Sequence, residues 1–159
     1  MKQLILIRHA KSSWEFNVID HERPLNEKGI NDAHLISNHL NKINPDKILC
    51  SDAKRTKQTA DIFTANLKLS PNIFALNHKL YDFSGELLTD TIKACPDNIN
   101  TLMVFGHNHA VTFFVNTYGS VFIDNVPTCG VIVINFEINS WSQLKKGITS
   151  KALFPKDLR

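Results

Sequence analysis

Short apolar runs that alternate with helical stretches are the feature that most limits how this chain can fold. Leu4-Ile5-Leu6-Ile7 is a continuous apolar run of the kind that forms a buried strand. Between such runs, apolar residues recur at about 3.6-residue spacing, which is typical of helices with one buried face. Strands that alternate with helices predict an α/β fold with a mainly parallel sheet.

The same pattern gives a provisional assignment along the whole chain. The predicted strands span 4–7, 47–50, 72–76, 101–105, 131–138 and 141–144, with the last pairing back on the fifth. The predicted helices span 26–43, 53–67, 84–92 and 110–118. Asn26 and Ser84 are the expected N-terminal caps of the first and third helices.

Composition narrows the class of protein further. The 159 residues fit one domain, 1–159, at the usual ~100–200 residues each. Apolar residues make up 43% and charged residues 21%, which excludes disordered and fibrous chains. The net charge of +3 fits an anionic small substrate as well as a nucleic acid and by itself favours neither. Because no run of lysines and arginines is present, we expect no nucleic-acid partner.

Cysteine usage and hydropathy indicate the compartment. Cys50, Cys95 and Cys129 are odd in number and widely spaced, so we expect reduced thiols. The run 4–7 is shorter than the ~7–15 apolar residues of a secretory segment and the ~20 of a membrane span. We therefore expect a cytoplasmic protein that does not associate with membranes.

Basic side chains follow three of the predicted strands. Arg8 and His9 follow the first, Arg55 opens the helix after the second, and His107 follows the strand 101–105. Ligands bind at the carboxyl ends of the strands in such sheets, so these four side chains should converge there.

Two arginines and two histidines suit a phosphoryl group. Arginine binds its oxygens bidentately, and a helix N-terminus after Ser51 would add N–H donors. A neutral histidine can attack phosphorus, and a second, charged histidine can donate a hydrogen bond to the developing charge. Because side chains supply the positive charge, we expect no metal and no other cofactor.

Three segments carry a resemblance to a known family. Residues 6–12 (Leu-Ile-Arg-His-Ala-Lys-Ser), 51–60 and 104–108 resemble the histidine phosphatase (phosphoglycerate-mutase-like) superfamily. Shorter segments are similar to the SixA-type phosphohistidine phosphatases: 23–25, 80–82, 126–128 and 155–158. The resemblance implies a three-layer α/β/α sandwich.

The resemblance also implies roles for the four basic residues. His9 would be the phosphorylated nucleophile, and Arg8, Arg55 and His107 would bind the phosphoryl group. The expected substrate is phosphohistidine on a partner protein, or else a small phosphate ester.

Two positions depart from the family pattern. His109-Ala110 stands where the family commonly has Pro-Gly, which leaves the start of the last predicted helix open. The glutamate that acts as general acid in larger members has no obvious counterpart. Asp82 is the first candidate for that role, and Glu86, Asp20 and Glu22 are alternatives.

Other classes of function fit parts of the sequence. The segment 106–109 (Gly-His-Asn-His) resembles one motif of metal-dependent phosphoesterases, with Asp32-Ala33-His34 as a partner segment. A phosphate-binding regulatory domain without catalysis is a further alternative. A cysteine phosphatase is excluded, because the loop between Cys50 and Arg55 is one residue too short.

Overall fold

The computed structural model describes residues 1–40 and 42–159, and within them the chain forms a six-stranded sheet. The strands are β1 (Lys2–Arg8), β2 (Lys47–Cys50), β3 (Phe74–Leu76), β4 (Thr101–Gly106), β5 (Val131–Phe136) and β6 (Ile148–Leu153). Their order across the sheet is β3-β2-β4-β1-β5-β6. The pairs among β3, β2, β4 and β1 are parallel, whereas β5 runs antiparallel to β1 and β6. This mixed, mostly parallel sheet confirms the predicted α/β class.

Helices cover both faces of the sheet. They are α1 (Glu27–His39), α2 (Lys54–Asn66), α3 (Glu86–Lys93) and α4 (Ala110–Tyr118). Leu4 and Leu6 belong to the hydrophobic cluster of α3 and α4, whereas Ile5 and Ile7 belong to that of α1 and α2. Successive side chains of a strand point to opposite faces, so the run 4–7 is apolar throughout because both faces are covered. This arrangement confirms the three-layer prediction.

The ends of the helices differ from the prediction at α1 and α3. Asn26 caps α1 as expected, since its Oδ1 accepts from the Gly29 N–H at 2.8 Å. The helix ends at His39, so its predicted extension to residue 43 is wrong, and residue 41 of that extension lies outside the described residues. Ser84 does not cap α3, which begins at Glu86. Helices α2 and α4 agree with the prediction to within one residue.

The predicted strand 141–144 is wrong. Trp141–Gln143 is a single 3-10 turn, and the buried Trp141 donates from Nε1 to the Ile99 carbonyl at 2.7 Å. The partner of β5 is instead β6, which starts at Ile148. Because β6 is an edge strand whose residues are exposed or half-buried, it lacks the apolar pattern that predicts a strand.

Two further strands are shorter than predicted. β3 is confined to Phe74–Leu76, because Pro71–Ile73 forms a 3-10 turn before it. β5 ends at Phe136 rather than at residue 138. Neither change moves the carboxyl ends of β1, β2 and β4.

In the part of the chain that the structure describes, the helices are too short or too polar to cross a membrane. The cytoplasmic location stays a prediction.

Gly29 allows α1 to lie directly against the segment after β1. A Cβ at this position would lie 2.1 Å from the Lys11 carbonyl oxygen. Gly29→Ala should lower the free energy of unfolding by about 1–3 kcal/mol, the usual cost of overpacking, although alanine favours helices. Urea unfolding measures the change. Gly106→Ala is the control, because its nearest new neighbour is Val111 Cγ2 at 3.7 Å. Equal losses in both variants would contradict the steric explanation.

Candidate active site

The carboxyl ends of β1 and β4 lie side by side and carry the two predicted histidines. Arg8, the last residue of β1, pairs with Gly106, the last residue of β4. His9 and His107 therefore follow neighbouring strands at the same level, and their ring centroids are 5.1 Å apart. Arg55 reaches both rings from the first turn of α2. The structure thus brings the four predicted basic residues together at one edge of the sheet.

His9 is held as a neutral imidazole with one unprotonated nitrogen. Its Nδ1 lies 2.6 Å from the Ala10 carbonyl oxygen, which can only accept, so Nδ1 carries the proton. Its Nε2 accepts from Arg55 Nε at 3.3 Å. Burial, with Arg55 and Arg8 nearby, lowers the pKa of His9 to about 3. At neutral pH Nε2 is therefore unprotonated, and its lone pair is directed at Arg55 Nε.

His107 lies deeper, with 1% of its surface exposed. Arg55 Nη2 lies 3.5 Å from its Nδ1, and because a guanidinium only donates, Nδ1 accepts. Nε2–H then donates to Ser51 Oγ at 2.8 Å and to Thr56 Oγ1 at 3.2 Å. Burial, with His9 and Arg55 nearby, lowers the pKa of His107 to about 2. The ring is neutral here, whereas the sequence-based chemistry expects a charged donor beside a bound phosphate.

A pocket of about 250 Å³ opens at this edge of the sheet. Among the described residues that line it, the lysine and arginine side chains are Arg8, Lys11, Arg23 and Arg55. The one carboxylate in this lining is Asp20. The excess of positive charge makes the pocket suited to an anion.

One N–H donor of Arg8, on Nε, has no acceptor among the described residues. The Nη1 of Arg8 donates to the Val126 carbonyl at 2.8 Å. Its Nε is buried and has no hydrogen-bond partner among the described residues. Burial and the neighbouring Arg55 lower the pKa of Arg8. An unpaired buried donor costs free energy, and an oxygen of a bound anion would satisfy it.

Asp20 and Arg23 contribute to the site in ways that the sequence analysis did not predict. Arg55 donates from Nη1 to the Asp20 carbonyl at 2.7 Å and from Nη2 to Asp20 Oδ2 at 3.0 Å. Arg23 Nε donates to Asp20 Oδ1 at 3.1 Å, and its guanidinium stacks on Trp14 at 3.6 Å from the ring centroid. Although its partial burial opposes this, hydrogen bonds from Tyr81 and Arg55 lower the pKa of Asp20. The sequence gives little indication of these contacts. It offers Asp20 only as an alternative general acid, and Arg23 only as the first residue of the SixA-like segment 23–25.

Asp82, the first candidate for general acid, caps α3. Its carboxylate accepts from the N–H groups of Ser84, Gly85 and Leu88 at 2.9–3.1 Å. Although burial alone would raise the pKa of Asp82, these hydrogen bonds lower it. An ionised capping group is a poor proton donor, so the geometry does not favour this role, which stays a prediction.

The side chain of Asn108 and the carbonyl of His107 accept hydrogen bonds from the first turn of α4, although His109-Ala110 departs from the family pattern. Its Oδ1 accepts from the Thr112 N–H at 3.0 Å, and the His107 carbonyl accepts from the Val111 N–H at 2.9 Å. The helix begins at Ala110, so the departure does not displace His107 from the site.

The thiol of Cys50 is unsuited to act as a nucleophile. Cys50 is buried beneath the site, and burial raises the pKa of its thiol well above the ordinary range. The reactive form of cysteine is the thiolate, which this environment disfavours. The exclusion of a cysteine phosphatase therefore has a structural reason as well.

The residues that would support a metal-dependent phosphoesterase are not assembled into a ligand set. Asp32 is buried in α1, and its carboxylate forms an ion pair with Arg159 at 2.9 Å. His109 is exposed just before α4. Within residues 1–40 and 42–159, the group of potential metal ligands that comes together contains neither of them.

Comparison with known proteins finds similarity to one family. Residues 4–75 match the model of the histidine phosphatase superfamily (branch 1). An uncharacterized chloroplastic protein of Arabidopsis thaliana is 29% identical over 89% of this chain and 70% of its own length. The family match covers 72 of the 159 residues, so the chain is similar to the histidine phosphatase superfamily (branch 1) over its first half.

Solved structures share the fold over nearly the whole chain. The protein histidine phosphatase SixA, complexed with tungstate, has a TM-score of 0.79 at 20% identity and covers 99% of both chains. An Agrobacterium tumefaciens protein described as a phosphohistidine phosphatase SixA has a TM-score of 0.80 at 23% identity. That alignment covers 97% of this chain and 98% of the other.

Asp82→Asn should destabilise the start of α3. Replacing one acceptor oxygen by an NH₂ group should cost about 1–2 kcal/mol of unfolding free energy at pH 7, as for other N-caps. The pKa of Asp82 is lower in the folded state than the ~3.9 of an unfolded aspartate. The carboxylate therefore stabilises the fold above about pH 4, and this stabilisation is lost as pH falls through the folded-state pKa. The difference between variant and parent in urea unfolding should therefore shrink between pH 7 and pH 3.

The control is Asp90→Asn, which changes an exposed carboxylate on the same helix. We expect it to leave stability nearly unchanged. A difference for Asp82→Asn that stays undiminished at pH 3 would contradict the capping explanation.

Proposed function

We propose that this protein is a phosphatase that transfers a phosphoryl group to His9 and then to water, acting on phosphohistidine of a partner protein. The observation that carries the proposal is the neutral His9 ring, whose Nε2 lone pair lies among buried arginines. A phosphate-binding domain without catalysis would need the arginines but no unprotonated imidazole nitrogen beside them. Catalysis is therefore the better-supported of the two.

In the first step, His9 Nε2 attacks phosphorus. Arg8 and Arg55 would bind the equatorial oxygens, with the unpaired Arg8 Nε as one donor. The new N–P bond forms on His9 as the bond to the leaving nitrogen breaks, and that nitrogen then takes up a proton. The Ala10 carbonyl keeps the proton on Nδ1 and so directs Nε2 toward the phosphorus.

In the second step, water attacks the phosphorus of phosphorylated His9. The N–P bond breaks, inorganic phosphate leaves, and the neutral imidazole returns. His107 would assist both steps once a bound dianion raises the pKa of its ring and Nδ1 gains a proton. Ser51 and Thr56 hold the opposite nitrogen, so Nδ1 stays oriented toward the Arg55 side of the pocket.

The preference for phosphohistidine follows from the states of the two candidate acids, Asp82 and Asp20. Asp82 is bound to the N-terminus of α3, and Asp20 is held ionised by Tyr81 and Arg55. An alkoxide leaving group needs a strong proton donor, whereas an imidazole nitrogen is basic enough to be protonated by water. The apolar side chains Trp14 (77% exposed) and Phe83 (46% exposed) line the pocket and would contact a protein surface.

A phosphoenzyme should form on His9. Alkali-quenched mixtures with labelled substrate should contain a base-stable, acid-labile label on the parent protein, and none on His9→Ala. His107→Ala should keep the label but turn over about 10²–10³ times more slowly, the usual cost of losing one donor to transition-state charge. Quench-flow labelling with steady-state rates measures both effects.

The matched control is His39→Ala, which removes an exposed histidine on α1. It should label and turn over like the parent. A label that survives His9→Ala and disappears in Cys50→Ser would overturn the mechanism.

Phosphohistidine should be the better substrate. We expect kcat/KM to be higher for a phosphorylated histidine-containing transfer domain than for p-nitrophenyl phosphate or sugar phosphates, because its leaving group needs no protein acid. In a parallel assay, Asp82→Asn should leave this preference unchanged. A preference for sugar phosphates that Asp82→Asn abolishes would refute both the substrate class and the account in which no protein acid is needed.

A further inference from the structure

Two histidines and an aspartate from three separate loops meet beside the phosphoryl pocket. His21 lies in the 3-10 turn Asp20–Glu22, Asp52 follows β2, and His78 opens the 3-10 turn His78–Leu80. His21 Nε2 is 2.9 Å from Asp52 Oδ1, and His78 Nδ1 is 2.9 Å from Asp52 Oδ2. One nitrogen or oxygen atom of each residue lies within 4.8 Å of those of the other two. None of the three has a role in the proposed reaction.

The atoms that converge are those that zinc prefers. Imidazole nitrogen and carboxylate oxygen bind Zn²⁺ at about 2.0–2.2 Å in a tetrahedral arrangement. Ligand atoms around such an ion lie about 3.3–3.6 Å apart, so small side-chain rotations would admit it between the three residues. Exposure leaves room for a water as fourth ligand, since 73% of the His78 side chain and 30% of the Asp52 side chain are accessible.

The surroundings of His21 favour a ligand role. Its other nitrogen, Nδ1, lies 3.4 Å from Glu22 Oε1, so Nδ1–H can donate to this carboxylate while Nε2 faces Asp52. A metal-binding histidine usually donates the N–H of its other nitrogen to a carboxylate or carbonyl, which fixes the orientation of the ring. Its ring is also fixed edge-on against Tyr81, with 4.9 Å between ring centroids.

We propose that His21 Nε2, Asp52 and His78 Nδ1 form a binding site for a divalent transition ion of the zinc class. The ion would join three loops at the edge of the sheet that carries the phosphoryl pocket. One of these loops contains Asp20, which precedes His21 and accepts two hydrogen bonds from Arg55. The site is separate from the phosphoryl chemistry, in which no step uses a metal.

Zinc affinity tests the site directly. The full chain, stripped with a chelator, is titrated with Zn²⁺ against a chromophoric competitor. The parent should bind one equivalent, and His78→Ala should bind it more than about tenfold more weakly, because even outer-sphere partners contribute about 10–100-fold. His39→Ala, an exposed histidine on α1, should match the parent. Equal affinities in the parent and His78→Ala, or no zinc uptake by the parent, would overturn the proposal.

X-ray absorption of the zinc-loaded protein identifies the ligands independently. We expect two imidazole nitrogens with oxygen ligands and no sulfur. A spectrum with sulfur ligands would assign the zinc to a cysteine and refute the site. Neither measurement depends on phosphatase activity, so failure of the zinc site and failure of the phosphatase proposal are distinguishable.

Discussion

Parallel pairing of β1 with β4, and of β4 with β2, is the constraint on which the site depends. Because these strands run in the same direction and end at nearly the same level, the residues that follow them enter one space. His9 and His107 are almost a hundred residues apart in the chain, and the register of two strands sets the distance between their rings. A slip of one residue in β4 would send the His107 side chain to the other face of the sheet.

Burial of cations next to imidazoles determines the chemistry that this edge can support. Arg8, Arg55 and the low exposure of both rings keep His9 and His107 neutral, since a third and fourth positive charge would be costly there. Asp20 offsets part of the positive charge, since its carboxylate accepts a hydrogen bond from Arg55 and so orients the guanidinium. The remaining excess of positive charge makes this edge of the sheet suited to an anion.

The fold was largely predictable where burial imposes a pattern and unpredictable where it does not. β1, β2, β4, α2 and α4 lie close to their predicted bounds, because each has residues that must be buried. β6 was missed, since an exposed edge strand can carry polar residues along most of its length. The cap of α3 was assigned to Ser84, whereas the carboxylate of Asp82 reaches forward to three N–H groups. That contact requires a backbone turn which the sequence does not reveal.

By itself, the sequence determined the alternation of elements and hence which residues follow the strands. That order was enough to predict the convergence of Arg8, His9, Arg55 and His107, because parallel strands share their carboxyl edge. Only the tertiary structure decided which side chains orient these four residues. It also brought His21 and His78 into contact with Asp52. These contacts join loops distant in the chain, and loop conformation depends on packing between elements rather than on local periodicity.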